Sequence, residues 1–273
     1  MSHPLDGAHA KLGRAEQHFE TLGSEWQAFI DTQPYGLGLK RDLQAQTVWV
    51  FFQILKPIPP QIALIAGDLA QNLRASLDYV AAELVDAHGG DTMRSQFPMY
   101  VKERAFISDV RFRKKSRKPG PLNHVPATSD EWAFIERLQP YQRGDLAKYD
   151  PLYALNHLSN RDKHRTLTPA FGAPLIGLLG DIFQITSPYP LTYRWRYLWL
   201  PWNPLKEDAL LGGLDCTIPP TEDAVQMDVK DLLPFDVFFD EGVERTRPSQ
   251  AYGLRRLIEH VRKIIGGAEV FFL

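Results

Sequence analysis

The sequence predicts an α+β fold in a single domain spanning residues 1–273. Three observations lead there. Several long stretches repeat apolar residues at helical spacing, whereas the chain after Pro169 breaks into strand-length apolar runs separated by Pro, Gly and Asp. No internal repeat, low-complexity tract or linker divides the chain. The helical half is expected at 1–168 plus 248–266, and the sheet-rich half at 169–247.

In chain order, residues 6–31 place Leu12, Phe19, Trp26 and Phe29 at helical spacing before Pro34 and Gly36 stop the run. From Gly36 to Leu55, β-formers around a polar break at Lys40–Asp42 read as an N-terminal hairpin. The clearest element is 60–87, where Ile62, Ile65, Leu69, Leu73, Leu77, Val80 and Leu84 make one apolar stripe that "HGG" terminates. A short helix at 102–110 precedes the basic loop "RFRKKSRKPG". Thr128 or Ser129 can cap the helix in "DEWAFIERLQ", which Pro140 ends, and Asp150 with Pro151 starts a helix over 151–164.

The runs "LIGLLGDIFQITS", "LTYRWRYLWL", "DALLGGLDCTI", "DAVQMDVK" and "PFDVFFDEG" then predict an antiparallel sheet over 173–241. A last helix over 248–266 carries Leu254, Leu257, Ile258, Val261 and Ile265 on one face and is expected to end at Gly266 and Gly267.

Composition narrows the partners. A formal charge of -2 gives no global attraction to nucleic acid or anionic membrane, so such a partner would need a local patch. Cys216 is the single cysteine, which excludes an intrachain disulfide and fits a reducing cytosol. The N-terminus carries charge and histidine where a secretory signal needs an apolar run, and no apolar run approaches the ~20 residues of a spanning helix. A cytoplasmic protein without a membrane partner is expected.

The densest group of reactive side chains is "LNHLSNRDKHRTLTP", residues 155–169. At about 100° per residue, Leu152, Leu155 and Leu158 fall on one side of the helix, and His157, Asn160, Arg161 and His164 on the other. Such a polar face is ordinarily a solvated one. Asp162 is the exception: it falls inside the apolar sector, where an unpaired carboxylate is costly, so it requires a cation or several donors. His157, Arg161 and His164 stand one turn apart, a guanidinium between two imidazoles, an arrangement that phosphate chemistry can use. A shared metal is excluded for the two histidines. They lie roughly 10 Å apart along the axis, whereas two ligands of one zinc must lie within about 4 Å of each other. Neither a metal nor a cofactor is expected.

Asn72, Ser76, Tyr79 and Glu83 line one shoulder of the long helix and could meet Asp162 or Arg161 if the helices pack antiparallel. Arg74 and Asp78 form an i, i+4 pair, read first as a surface salt bridge and second as a partner for Asp162. Arg113, Lys114 and Lys115 in the basic loop could neutralise phosphates, or simply be solvated. With only Phe112 interleaved, that loop lacks the aromatic platforms of a single-strand binder. Cys216 reads as a buried thiol, and "YRWRYLWLPW" as sheet packing or, second, as a ligand wall built from cation–π contacts.

The stretches "GDLAQNLRASLDYVAAEL", "FPM", "ERLQPYQ", "LSNRDKHRTL" and "FDVFFDEG" together resemble a widespread group of uncharacterised bacterial proteins with an N-x-D-K-H-R signature. More loosely, the helical half resembles the HEPN superfamily, helical bundles that often dimerise and include metal-independent ribonucleases with an R-x4-6-H motif. Here Arg161 to His164 is R-x2-H, a departure from that spacing. The resemblance implies an RNA-directed homodimer in which His164 acts as acid or base and Arg161 neutralises the scissile phosphate, with Asp162 and His157 at the same centre. Asn160, Lys163, Arg165, Asn72, Glu83, Arg113, Lys114 and Lys115 would then contact substrate. The alternative is a non-catalytic scaffold or small-ligand-binding protein in which the signature is structural.

Overall fold

A computed structural model describes residues 3–110, 112–113, 118–172, 182–197, 205–229, 236–239 and 250–273. The fold is α+β. Its contacts gather the chain into two compact units: Met1–Ser24, Gln61–Leu167 and Tyr252–Leu273 form one, and Glu25–Pro60 with Thr168–Ala251 the other.

The first unit is helical. Helix α1 is Asp6–Ile30, whose first part belongs here, and α2 is Pro60–Ala87, matching its predicted span. All seven residues of the predicted α2 stripe are buried. Helices α3 (Glu103–Asp109), α4 (Asp130–Arg137) and α5 (Pro151–His164) follow. The Ser129 hydroxyl caps α4 by accepting the Trp132 N–H, and the Asp150 carboxylate caps α5 by accepting the Leu152 N–H at 2.9 Å. Between them Pro140–Tyr149 coils as 3-10 turns with a kink at Gly144. The terminal helix α6, Gln250–Ala268, buries Leu254, Leu257, Ile258, Val261, Ile264 and Ile265.

Helix α6 passes through Gly266 and Gly267 instead of ending there. The cause is packing: a Cβ at Gly267 would lie 2.9 Å from Phe134 Cε2, so the glycine admits that ring against the helix backbone. Burial of Ile264, Ile265 and Ala268 on either side offsets a glycine penalty of about 1 kcal/mol.

The second unit is built on a four-stranded antiparallel sheet of order β1-β2-β8-β7: β1 Tyr35–Asp42, β2 Thr47–Ile54, β7 Tyr193–Tyr197 and β8 Leu210–Cys216. The N-terminal hairpin is thus half of the sheet. Two further pairs join β5 (Pro169–Gly172) to β10 (Asp236–Phe239) and β6 (Phe183–Thr186) to β9 (Gln226–Val229). In the first unit, the basic segment contributes a two-residue pairing of β3 (Phe112–Arg113) with β4 (Lys118–Pro119). Lys40–Asp42, expected as the hairpin's break, belongs to β1 itself. The turn falls at 43–46, where the Asp42 carboxylate accepts the Ala45 N–H and Gln46 adopts a φ of 51°. Of the predicted sheet region, 173–181, 198–204, 230–235 and 240–241 lie outside the described residues.

One face of the sheet is the core of this unit. Val48, Val50 and Phe52 are fully buried, and Phe171 gathers Trp26, Phe29, Tyr35 and Phe52 within 5.4–5.9 Å between ring centres. Burial there pushes the Tyr35 hydroxyl up to about 12. No helix among the described residues is long and apolar enough to cross a membrane.

Candidate functional site

Three contacts set α5 on α2. The Asp162 carboxylate rests on Gly67, where any Cβ would collide with it. The Gln71 amide donates to the Ser159 carbonyl at 2.7 Å and to Asp162 Oδ2 at 3.2 Å. Arg74 Nη1 reaches Asn156 Oδ1 at 3.4 Å. These contacts climb α2 as they descend α5, so the helices run antiparallel, and Leu152, Leu155 and Leu158 are buried on the same flank.

Asp162 therefore sits half-buried as its place among the leucines requires, but its partner is a neutral amide and a glycine gap. The side of α2 that meets α5 is Gly67, Gln71 and Arg74, not the shoulder of Asn72, Ser76, Tyr79 and Glu83. Asn72 turns back to donate to the Asp68 carbonyl at 2.8 Å, Ser76 donates to Leu73, and Tyr79 lies against Gly7. Glu83 stands sixteen residues beyond Gly67, about 24 Å along the axis, too far to converge on His164. Burial, then Asp86, raises its carboxyl above the usual range.

Arg74 and Asp78 are neither a surface pair nor a partner of Asp162. Arg74 is 4% exposed, with Nη2 3.2 Å from Asp78 Oδ1 and 2.8 Å from the Phe97 carbonyl it donates to. Asp78 in turn accepts the Phe97 N–H at 2.8 Å. Burial holds the Asp78 carboxyl above the usual carboxylate range, against the opposing pull of Arg74, the Phe97 amide and Lys163.

The "FPM" segment is thereby clasped from one side by α2, and Gln139 clasps it from the other. Fully buried, Gln139 accepts the Tyr100 N–H at 3.1 Å and donates to the Pro98 and Ile135 carbonyls at 3.0 Å each. Four stretches scattered over 67–167 thus meet in one polar seam. Gln139 and Gln71 were missed from the sequence. A fully buried glutamine beside a Pro leaves no periodic signal, because its partners are backbone carbonyls.

The rest of the signature is spread around α5. Asn160, exposed, donates to Asn156 Oδ1 at 3.1 Å and so extends the Arg74 seam outward. His157 stacks on Tyr153 at 6.4 Å, its buried Nε2 without a hydrogen-bond partner among the described residues. Arg161 is half-buried, whereas Lys163, His164 and Arg165 are exposed at the helix end. Cations there complement the negative end of the helix dipole. Lys114 and Lys115 lie outside the described residues, as does the side chain of Arg113. Among the described residues, no three His, Cys, Asp or Glu side chains converge as metal ligands would.

Compared with protein-family models, curated proteins and solved structures, the chain matches none.

Proposed function

We propose that the chain is a non-catalytic scaffold or ligand-binding protein whose N-x-D-K-H-R segment fastens α5 to α2. The observation that carries this reading is the seat of Asp162: its carboxylate occupies the gap over Gly67 and takes the Gln71 amide, so the acid of the signature is committed to packing. Asn160 extends the Arg74 seam, a second structural use of the same motif. His157, stacked on Tyr153, lies about 10 Å along the axis from His164, too far for a paired acid and base at one phosphorus. The single Cys216, with its thiol pushed up by burial and then by Asp215, suits a reducing cytosol.

A second reading, a metal-independent ribonuclease, rests on the exposed run Lys163, His164 and Arg165 following the half-buried Arg161. In that reading His164 is the acid or base, Arg161 neutralises phosphate, and a homodimer brings two such helix ends together.

One experiment separates them. Purified protein and its His164→Ala variant are incubated with mixed cellular RNA and tRNA in EDTA, and product ends are read for 2',3'-cyclic phosphate. The scaffold reading expects no cleavage above background by either protein. It also expects a sharply lower Tm for Asp162→Ala. Cleavage by the wild type that disappears in a folded His164→Ala variant would replace it with the nuclease reading.

A further inference from the structure

The face of the β1-β2-β8-β7 sheet opposite its aromatic core carries a second organised group of side chains. Strand pairing aligns Lys40 with Trp49, Trp49 with Gly213, and Gly213 with Arg196, so one rank across the sheet reads cation, aromatic, gap, cation. Alternation along β2 sends Val48, Val50 and Phe52 inward and leaves Trp49 and Phe51 part-exposed on this face.

The gap is filled by design of the rank. A Cβ at Gly213 would lie 2.9 Å from Trp49 Cε3 and Cζ3, so the indole rests on the glycine. The Arg196 guanidinium sits 4.7 Å from the indole centre and is held by Asp215 at 2.7 Å and by Thr47 Oγ1 at 3.3 Å. An indole held against Gly213 and Arg196 is pre-organised, which reduces the ordering cost of anything that packs on the part of the ring lining the open groove.

Trp49 and Phe51 line an open groove of roughly 380 Å³ with Lys40, Arg41, Asp42, Leu43 and Leu210. That is the size range of small-ligand sites. Its charges are divided in their availability: Arg41 is spent on the Pro220 and Val225 carbonyls at 3.0 and 2.8 Å, while Lys40 is exposed. Asp42 accepts the Ala45 N–H, and Asp215 is matched by Arg196. Among the described strand residues of this face, Lys40, Arg194 and Arg196 outnumber the carboxylates of Asp42 and Asp215.

We infer that this groove binds a nucleotide unit, with the base against Trp49 and Phe51 and the phosphate at Lys40. Aromatic faces stack any base, and a neighbouring cation supplies the sequence-independent phosphate term. The inference uses the sheet alone and stands whether or not α5 carries chemistry.

The test is titration of the full-length protein with AMP by calorimetry and with a fluorescein-labelled short oligoadenylate by anisotropy, each at low and high salt. Saturable, salt-weakened binding of either is expected. Trp49→Ala should weaken it about tenfold, the scale of one stacked base. Lys40→Glu should weaken it severalfold without moving the Tm, a control that does not depend on how Trp49→Ala folds. Equal affinity per site for AMP and oligoadenylate identifies a free nucleotide as occupant, and binding of the oligomer alone identifies a single strand. Absence of binding to both at millimolar nucleotide would overturn the inference. So would unchanged binding by the two variants, or displacement of the nucleotide by equimolar tripolyphosphate.

Discussion

Each unit of the protein contains an Arg–Asp pair, and the two differ in an instructive way. Arg196 and Asp215 approach to 2.7 Å with side chains 44% and 37% exposed; Arg74 and Asp78 stand 3.2 Å apart with Arg74 at 5% and Asp78 at 31%. The shorter contact is the weaker one. Exposed ions keep most of their hydration and are screened, so their pair adds little to stability, whereas a buried guanidinium deprived of its partners leaves charge and carbonyls unsatisfied. What the exposed pair does is hold Arg196 over Trp49. What the buried pair does is hold the "FPM" segment on α2.

The comparison is tested most severely at Arg74. Arg74→Ala should cost about 3–5 kcal/mol in urea unfolding of the helical unit, because Asp78, the Phe97 carbonyl and Asn156 all lose a donor. A cost below about 1 kcal/mol would mean that the seam is wetter than its burial indicates, and would make the two pairs equivalent.

Gly67→Ala comes next, at about 1–3 kcal/mol, since the new methyl meets the Asp162 carboxylate. The double variant Gly67→Ala/Asp162→Ala isolates the collision, because it removes the carboxylate that the new methyl would meet while leaving a helix former at both positions. If the collision is the cause, the two changes are strongly non-additive, and the double variant loses clearly less stability than the sum of the two single losses. Strict additivity of the two melting shifts would remove Asp162 from its assigned seat.

The helices that carry this seam were legible in advance, most of its contacts were not, and the unread part has a physical pattern. Period 3.6 gave α2 its limits, and Asp150 with Pro151 marked the start of α5, because caps and stripes are local properties of the chain. The position of Asp162 among leucines announced a need for a partner. Which partner depended on the register of two antiparallel helices 91 residues apart in sequence, which no local pattern encodes. Gln139 was silent because it serves backbone carbonyls. Lys40–Asp42 looked like a turn since three charged residues in a row suit one, yet as strand residues they place Lys40 and Asp42 on the open face beside Trp49 and Thr47. A hydrophilic strand edge and a turn are alike in composition and differ only in pairing.

The buried pair should also give stability a pH dependence that the seam's geometry explains. Burial raises the folded Asp78 carboxyl above its unfolded value, so between the ordinary Asp range near 4 and the raised value the folded state holds more proton than the unfolded state. The Asp78 contribution to stability is then fully present below the unfolded pKa and is lost as pH rises through the folded one. Urea midpoints for wild type and Asp78→Asn, taken from pH 3.5 to 6.5, check the sign: the wild type should lose stability relative to the variant as pH rises across that window. A difference that stays constant, or that runs the other way, would show the carboxyl ionising at least as easily in the fold as in the unfolded chain.

The smallest effect is expected at Arg196. Removing it in Arg196→Ala breaks an exposed pair at 2.7 Å and a guanidinium–indole contact at 4.7 Å, together about 1 kcal/mol or less at physiological salt, where charges beyond about 8 Å are screened. Thr47 keeps Asp215 as a partner through its own hydroxyl at 2.9 Å, so no buried donor is stranded. Nucleotide affinity is the sensitive readout instead, because without the guanidinium Trp49 loses the contact that fixes it over Gly213. A severalfold weaker oligoadenylate complex with an almost unchanged Tm would mark this pair as a device for positioning an aromatic ring. A Tm loss as large as that of Arg74→Ala would instead mean that the sheet face is packed from outside and is closed to ligand.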